Sequence, residues 1–185
     1  MQRRIVEPAD VSGDALAELK SWLGITRPVE DALLIDLLLT ALGMCESFTG
    51  QAPLSQLVEE RLPTSAKKVT LVSRPATSIS SVELVSHNGD RTPLTPDQYE
   101  SEISSQGSLA FQLTNDLEGQ VVIVATRVGI ADTWASVPAS LKQGIIRLCA
   151  YHYRDRDRSR ESGKASAPPA IVSALWRPWQ ELRLT

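Results

Sequence analysis

The sequence predicts an α+β fold, a helical bundle interrupted by a β-rich insert, and three observations carry that expectation. Leucines recur at helical spacing through the first fifty positions. Between about Leu54 and Val128 the period changes to alternation, and at Val137-Pro138 the helical spacing returns. Apolar residues make up 42% of the 185 and charged residues 22%, the composition of a chain that buries a core.

Helices are expected near residues 14–23, 28–49, 138–155 and 169–177. The first has Ser12 or Asp14 as N-cap, sets Leu16, Leu19 and Leu23 on one face, and stops at Gly24. Pro28 opens the second, with Glu30 and Asp31 near its positive end and Gly50 just past its last turn. That helix is apolar on nearly every side, from Leu33 through Leu37, Leu38, Leu42 and Met44 to Phe48. It therefore needs a central position, or a partner subunit that supplies part of its cover.

The β-rich insert, about 54–128, is read from Val69, Leu71, Val82 and Leu84 alternating with polar neighbours, then from Tyr99, Ile103, Leu109, Phe111 and Leu113. Asn88-Gly89 supplies a hairpin turn, and the apolar run within Gln120 to Val128 suits a strand buried on both faces. Leu141, Ile145, Leu148, Cys149 and His152 then share one helical face. Beyond them, 162–169 is small, polar and proline-ended, and reads as a flexible linker. Pro178 ends the last short helix. One domain, 1–185, thus carries an insert, a linker and a C-terminal arm, 170–185.

The function classes narrow by exclusion. A net charge of −3 lacks the basic excess from which DNA-binding modules draw their affinity. The run from Arg154 to Glu161 mixes signs and reads as a solvated helix end, with inter-subunit ion pairs or DNA contact as the other uses. Cys45 and Cys149 sit in apolar helical patterns and read as buried, reduced thiols. Neither His87 nor His152 has a nucleophile or a ligand at motif spacing, so no enzyme, cofactor or metal is expected. The basic N-terminus lacks an apolar signal core, and Leu37 to Cys45 is far shorter than the roughly 20 residues of a membrane span. A soluble intracellular protein without a membrane partner is expected.

Two of the four tryptophans, Trp176 and Trp179, lie in the last ten residues beside Arg177 and Arg183. Trp and Arg are the residues most enriched at interface hot spots. Ile171, Leu175, Trp176, Arg177, Trp179 and Arg183 are therefore candidates for binding a partner; the competing reading folds these tryptophans onto the chain's own core.

The order of several fragments resembles the head-tail connector (adaptor) family of long-tailed phages, most closely the adaptor of alphaproteobacterial gene transfer agents. The fragments are Leu19-Lys-Ser-Trp-Leu-Gly-Ile25, Glu30-Asp-Ala-Leu-Leu-Ile35, Glu46-Ser-Phe-Thr-Gly50, Arg74-Pro-Ala-Thr-Ser-Ile79, Val82-Glu-Leu-Val85, Val121-Val-Ile-Val-Ala125, Val137-Pro-Ala-Ser-Leu-Lys-Gln143, Tyr151-His-Tyr-Arg154 and Pro169-Ala-Ile-Val-Ser-Ala-Leu-Trp176. The resemblance covers nearly the whole length. It implies a helical core with a β insert, and a dodecameric ring docked beneath a portal protein at the head-tail junction of a particle assembled in the bacterial cytoplasm. It further implies a stopper or terminator protein on the tail side, DNA as passing cargo only, and no catalytic residues. A tail terminator or stopper ring of the same particle is the alternative, and a small cytosolic enzyme the more distant one.

Overall fold

A computed structural model describes residues 2–64, 68–115, 121–158 and 169–180, with side chains as far as Asp155 in the third stretch. It is an α+β fold of two compact units: residues 9–54 with 130–185, and residues 1–8 with 55–129.

The first unit is helical: α1 (Asp14–Leu23), α2 (Asp31–Thr49, entered through a 3₁₀ turn at Pro28–Glu30), α3 (Ala139–Arg158) and α4 (Ala170–Trp176). Gly24 and Gly50 both adopt the left-handed conformation that ends a helix, at φ 72° and 78°. The expected N-cap is corrected. Gly13 occupies it, because Ser12 turns its amide and hydroxyl to the Asp10 carboxylate at 3.0 and 2.7 Å, and Asp14 is already the first helical residue. Leu19, Leu34, Leu38, Leu141, Ile145, Ile146 and Leu148 are fully buried and make the core with Cys45 and Cys149. Polar clips fix the helices to one another: Lys20 to Asp31 at 2.6 Å, the Trp134 indole to Glu18 at 2.7 Å, and the Tyr153 hydroxyl to Glu30 at 2.7 Å.

α2 does have an outward face. Ala32, Asp36, Thr40, Gly43 and Ser47 are exposed at helical spacing, while Leu34, Leu38, Ala41, Leu42 and Cys45 are buried. Two of the outward hydroxyls donate back to their own helix, Thr40 to the Asp36 carbonyl and Ser47 to the Gly43 carbonyl. Pro28–Thr49 as a whole is long and apolar enough to cross a membrane by length and composition, contrary to the shorter stretch counted from sequence. Here Leu34, Leu38 and Leu42 are buried in the helical core, and Leu37 and Leu39 pack against it.

The second unit holds two antiparallel sheets. β1 (Gln2–Glu7), β2 (Gln56–Pro63), β8 (Val121–Val128), β4 (Ala76–Val85) and β5 (Arg91–Pro93) lie in that spatial order in one. β3 (Val69–Thr70), β7 (Leu109–Leu113) and β6 (Tyr99–Ile103) make the other. β8 is central and buried at six of its eight positions, as its apolar run predicts. β1 extends the expected insert: it pairs with β2 from Gln2↔Arg61 to Glu7↔Leu57, although sequence periodicity assigns it nothing. At the β4–β5 connection Gly89 takes φ 89° while Asn88 stays at negative φ. The Glu60 carboxylate, fully buried on β2, accepts the Val72 and Ser73 amides at 2.9 and 2.8 Å and so ties the chain after β3 to the first sheet.

Candidate functional site

The candidate binding residues all fall on or beyond α4. The helix begins on Pro169, whose carbonyl accepts the Val172 amide at 2.9 Å, and passes into a 3₁₀ turn at Arg177–Trp179, where Pro178 prevents a further α-turn. Val172 is fully buried and Trp176 is 3% exposed. The Trp176 indole lies on Gly144 of α3, so closely that a Cβ there would overlap Nε1, and that N–H donates to the Leu141 carbonyl at 3.3 Å. Phe48 packs against the same indole, with ring centroids 6.0 Å apart. Trp179 donates its Nε1–H to Ser140 Oγ at 2.9 Å, and its carbonyl accepts from Gln51 at 3.0 Å. Gln180 adds a bond to the Phe48 carbonyl at 3.1 Å.

Of the two readings of the C-terminal tryptophans, these contacts favour the one that folds them onto the chain's own core. Trp176 belongs to the helical unit's own core, and Leu175 and Trp179 are partly buried against it. Ile171, at 50%, and Arg177 remain exposed. Arg183 and most of the expected linker lie outside the described residues. Sequence reasoning passed over Gly144. A glycine inside a helix costs about 1 kcal/mol relative to alanine, and its presence there is a signal that another group approaches closely.

Ile171 lines a shallow groove of about 330 Å³ with Trp22, Arg147, Ala150, Tyr151, Arg154, Asp155 and Pro169. The Arg147 guanidinium stacks 5.5 Å from the Trp22 ring centroid, and Trp22 is itself 43% exposed. An apolar floor rimmed by two guanidiniums and one carboxylate suits docking of a polypeptide better than chemistry on a small molecule.

The remaining chemically capable groups are dispersed. Cys45 and Cys149 are buried, and burial pushes both thiols up to about 12, so neither is a nucleophile at neutral pH. His152 is partly buried, its Nε2 enclosed with no hydrogen-bond partner among the described residues and its ring edge-on to Tyr151 at 5.7 Å. His87 is exposed beside the Gly89 turn. Among the described residues no three His, Cys, Asp or Glu side chains stand together as metal ligands would.

No model of a known protein family matches the chain, and no curated protein does. Solved structures do match in fold. A chain from the neck of an empty GTA particle, computed with C6 symmetry, superimposes with a TM-score of 0.76. One from the virion of a native gene transfer agent (GTA) particle reaches 0.74, and one from the neck of a native GTA particle, computed with C12 symmetry, 0.73. Each is 22% identical, over 100% of this chain and 98% of the other.

Proposed function

We propose that this protein is a structural subunit of the head-tail junction, a connector (adaptor) that forms a ring between a portal protein and the tail of a phage-like gene transfer particle. The single observation that carries the reading is the end-to-end match in fold to chains from GTA necks and virions, with almost nothing left over on either side. Between the two virion roles, adaptor and tail-side stopper, the order of sequence fragments favours the adaptor. The chemistry is consistent with a scaffold: thiols held protonated, scattered histidines, and polar groups spent on clips between helices. A weak net negative charge suits a wall past which DNA must slide, because dense phosphate contacts would hold it.

In this reading α4 is a rigid docking element, not a tether. Ile171 and Arg177 present themselves to the portal because Val172 and Trp176 anchor the helix beneath them. Co-sedimentation with purified portal rings tests it. Ile171→Asp with Arg177→Glu is expected to lower portal binding at least tenfold while the melting temperature holds, since both side chains are exposed. A wild-type chain that never sediments with portal refutes the adaptor role. One that binds an isolated tail tube instead reassigns it to the tail side.

A further inference from the structure

Among the described residues the two sheets have four edges, and these are unequal. β5 has three residues and ends on Pro93, which has no N–H to donate, and β3 has only two residues. β1 and β6 are six and five residues long, contain no proline, and are exposed at all but one of their positions, the exception being Tyr99. They also hold exposed apolar side chains: Ile5 at 45%, Val6 at 42% and Ile103 at 39%. Long open edges with apolar side chains are what soluble proteins otherwise avoid, because the unpaired row of N–H and C=O groups accepts any passing strand.

The two open edges carry opposite charge. Arg3 and Arg4 lie side by side on β1. Glu100 and Glu102 project from one face of β6, opposite Gln112 and Ala110 of β7. Arg3 is engaged, Glu102 pairs with Lys68 and Glu7 with Arg127. Arg4 and Glu100 make no side-chain hydrogen bond or ion pair among the described residues.

We infer that β1 of one copy pairs edge to edge with β6 of the neighbouring copy, joining the five-stranded sheet of one subunit to the three-stranded sheet of the next. The inference rests on the ring reading above and names the surfaces that close the ring. A cyclic ring needs a head-to-tail contact between two different patches of the same chain, and β1 with β6 is such a pair. Backbone hydrogen bonds supply adhesion, Ile5, Val6 and Ile103 leave water, and arginine meets glutamate. Pairing β6 with another β6 sets glutamates against glutamates, so charge selects the mixed pair. Binding of β1 to nucleic-acid phosphate uses the arginines but leaves the β6 edge and all three apolar side chains open, which is why a second copy is the better occupant.

Charge reversal tests the pairing in the full chain, with incorporation into particle necks as the readout. Arg4→Glu and Glu100→Arg are each expected to cut incorporated subunits at least tenfold at an unchanged melting temperature, and the double variant to restore wild-type incorporation. Single variants that incorporate like the wild type overturn the edge pairing and leave the ring reading standing. A wild-type chain that never enters necks removes the ring reading itself. Duplex DNA binding that Arg4→Glu abolishes, with incorporation unaffected, assigns β1 to phosphate and overturns the inference.

Discussion

Truncating Trp176 to alanine is expected to destabilise the helical unit by about 3–5 kcal/mol, the cost of emptying a large aromatic site in a core. The structure supports that scale. The indole is 3% exposed, and burying the roughly 150–250 Å² of such a ring at about 25 cal/mol per Å² yields ~4–6 kcal/mol as an upper bound. For a chain of this size each kcal/mol moves the transition by about 2–4 °C, so a drop of roughly 6–20 °C should appear in calorimetry. Gly144→Ala sharpens the test through its sign. With nothing above it, alanine would stabilise the helix interior by about 1 kcal/mol. With the indole seated on Gly144, the added methyl overlaps Nε1 and should instead destabilise by about 1–3 kcal/mol. A Trp176→Ala loss under about 1 kcal/mol together with a stabilising Gly144→Ala would show that α4 does not pack on α3, and would leave Trp176 to a partner.

Two further perturbations probe buried polar groups. Glu60→Ala strips the acceptor from the half-exposed Val72 amide, which water can serve, and from the buried Ser73 amide, and at about 1–3 kcal/mol for one orphaned buried donor the β unit should lose roughly that much in urea denaturation; no measurable loss would mean that water replaces the carboxylate at both. The thiols set an alkaline limit. Folding raises both from 9.0 to about 12, so the unfolded chain releases these protons more readily. Their contribution to stability is complete below pH 9 and is lost as pH rises toward 12. Stability measured across that window should fall more steeply for the wild type than for the Cys45→Ala, Cys149→Ala variant, and equal slopes would contradict the assigned burial.

What the sequence disclosed, and what it hid, follows from where the physical information lies. Helix ends written in local chemistry were legible: Gly24 and Gly50 stop their helices, and Pro178 stops α4. β8 was legible because a strand buried on both faces must be apolar throughout. β1 was not, because an edge strand exposed at every position has no need to alternate, and Gln2–Glu7 shows no period to read. The place of Trp176 was equally hidden. Its seat is made by Leu141 and Gly144 on another helix, and a contact that distant leaves no trace at the tryptophan itself. The outward face of α2 was obscured for a third reason: Ala32, Gly43 and back-bonded Thr40 and Ser47 look neither polar nor apolar, so the leucines dominate the pattern. Of the candidate binding residues, spacing could nominate the segment but could not separate exposed Ile171 and Arg177 from buried Trp176.

The central claim is that this chain is a ring subunit at the junction of head and tail, and an image of that junction tests it most directly. Particles assembled with the chain bearing an electron-dense tag inserted in the exposed Asn88-Gly89 turn, outside β1, β6 and α4, would be imaged by electron cryomicroscopy and averaged around the particle axis. The account predicts a closed ring of tagged subunits, twelve in number, between the portal and the first tail ring. Tag density on the capsid shell, at the tail tip, or nowhere in the particle would contradict it.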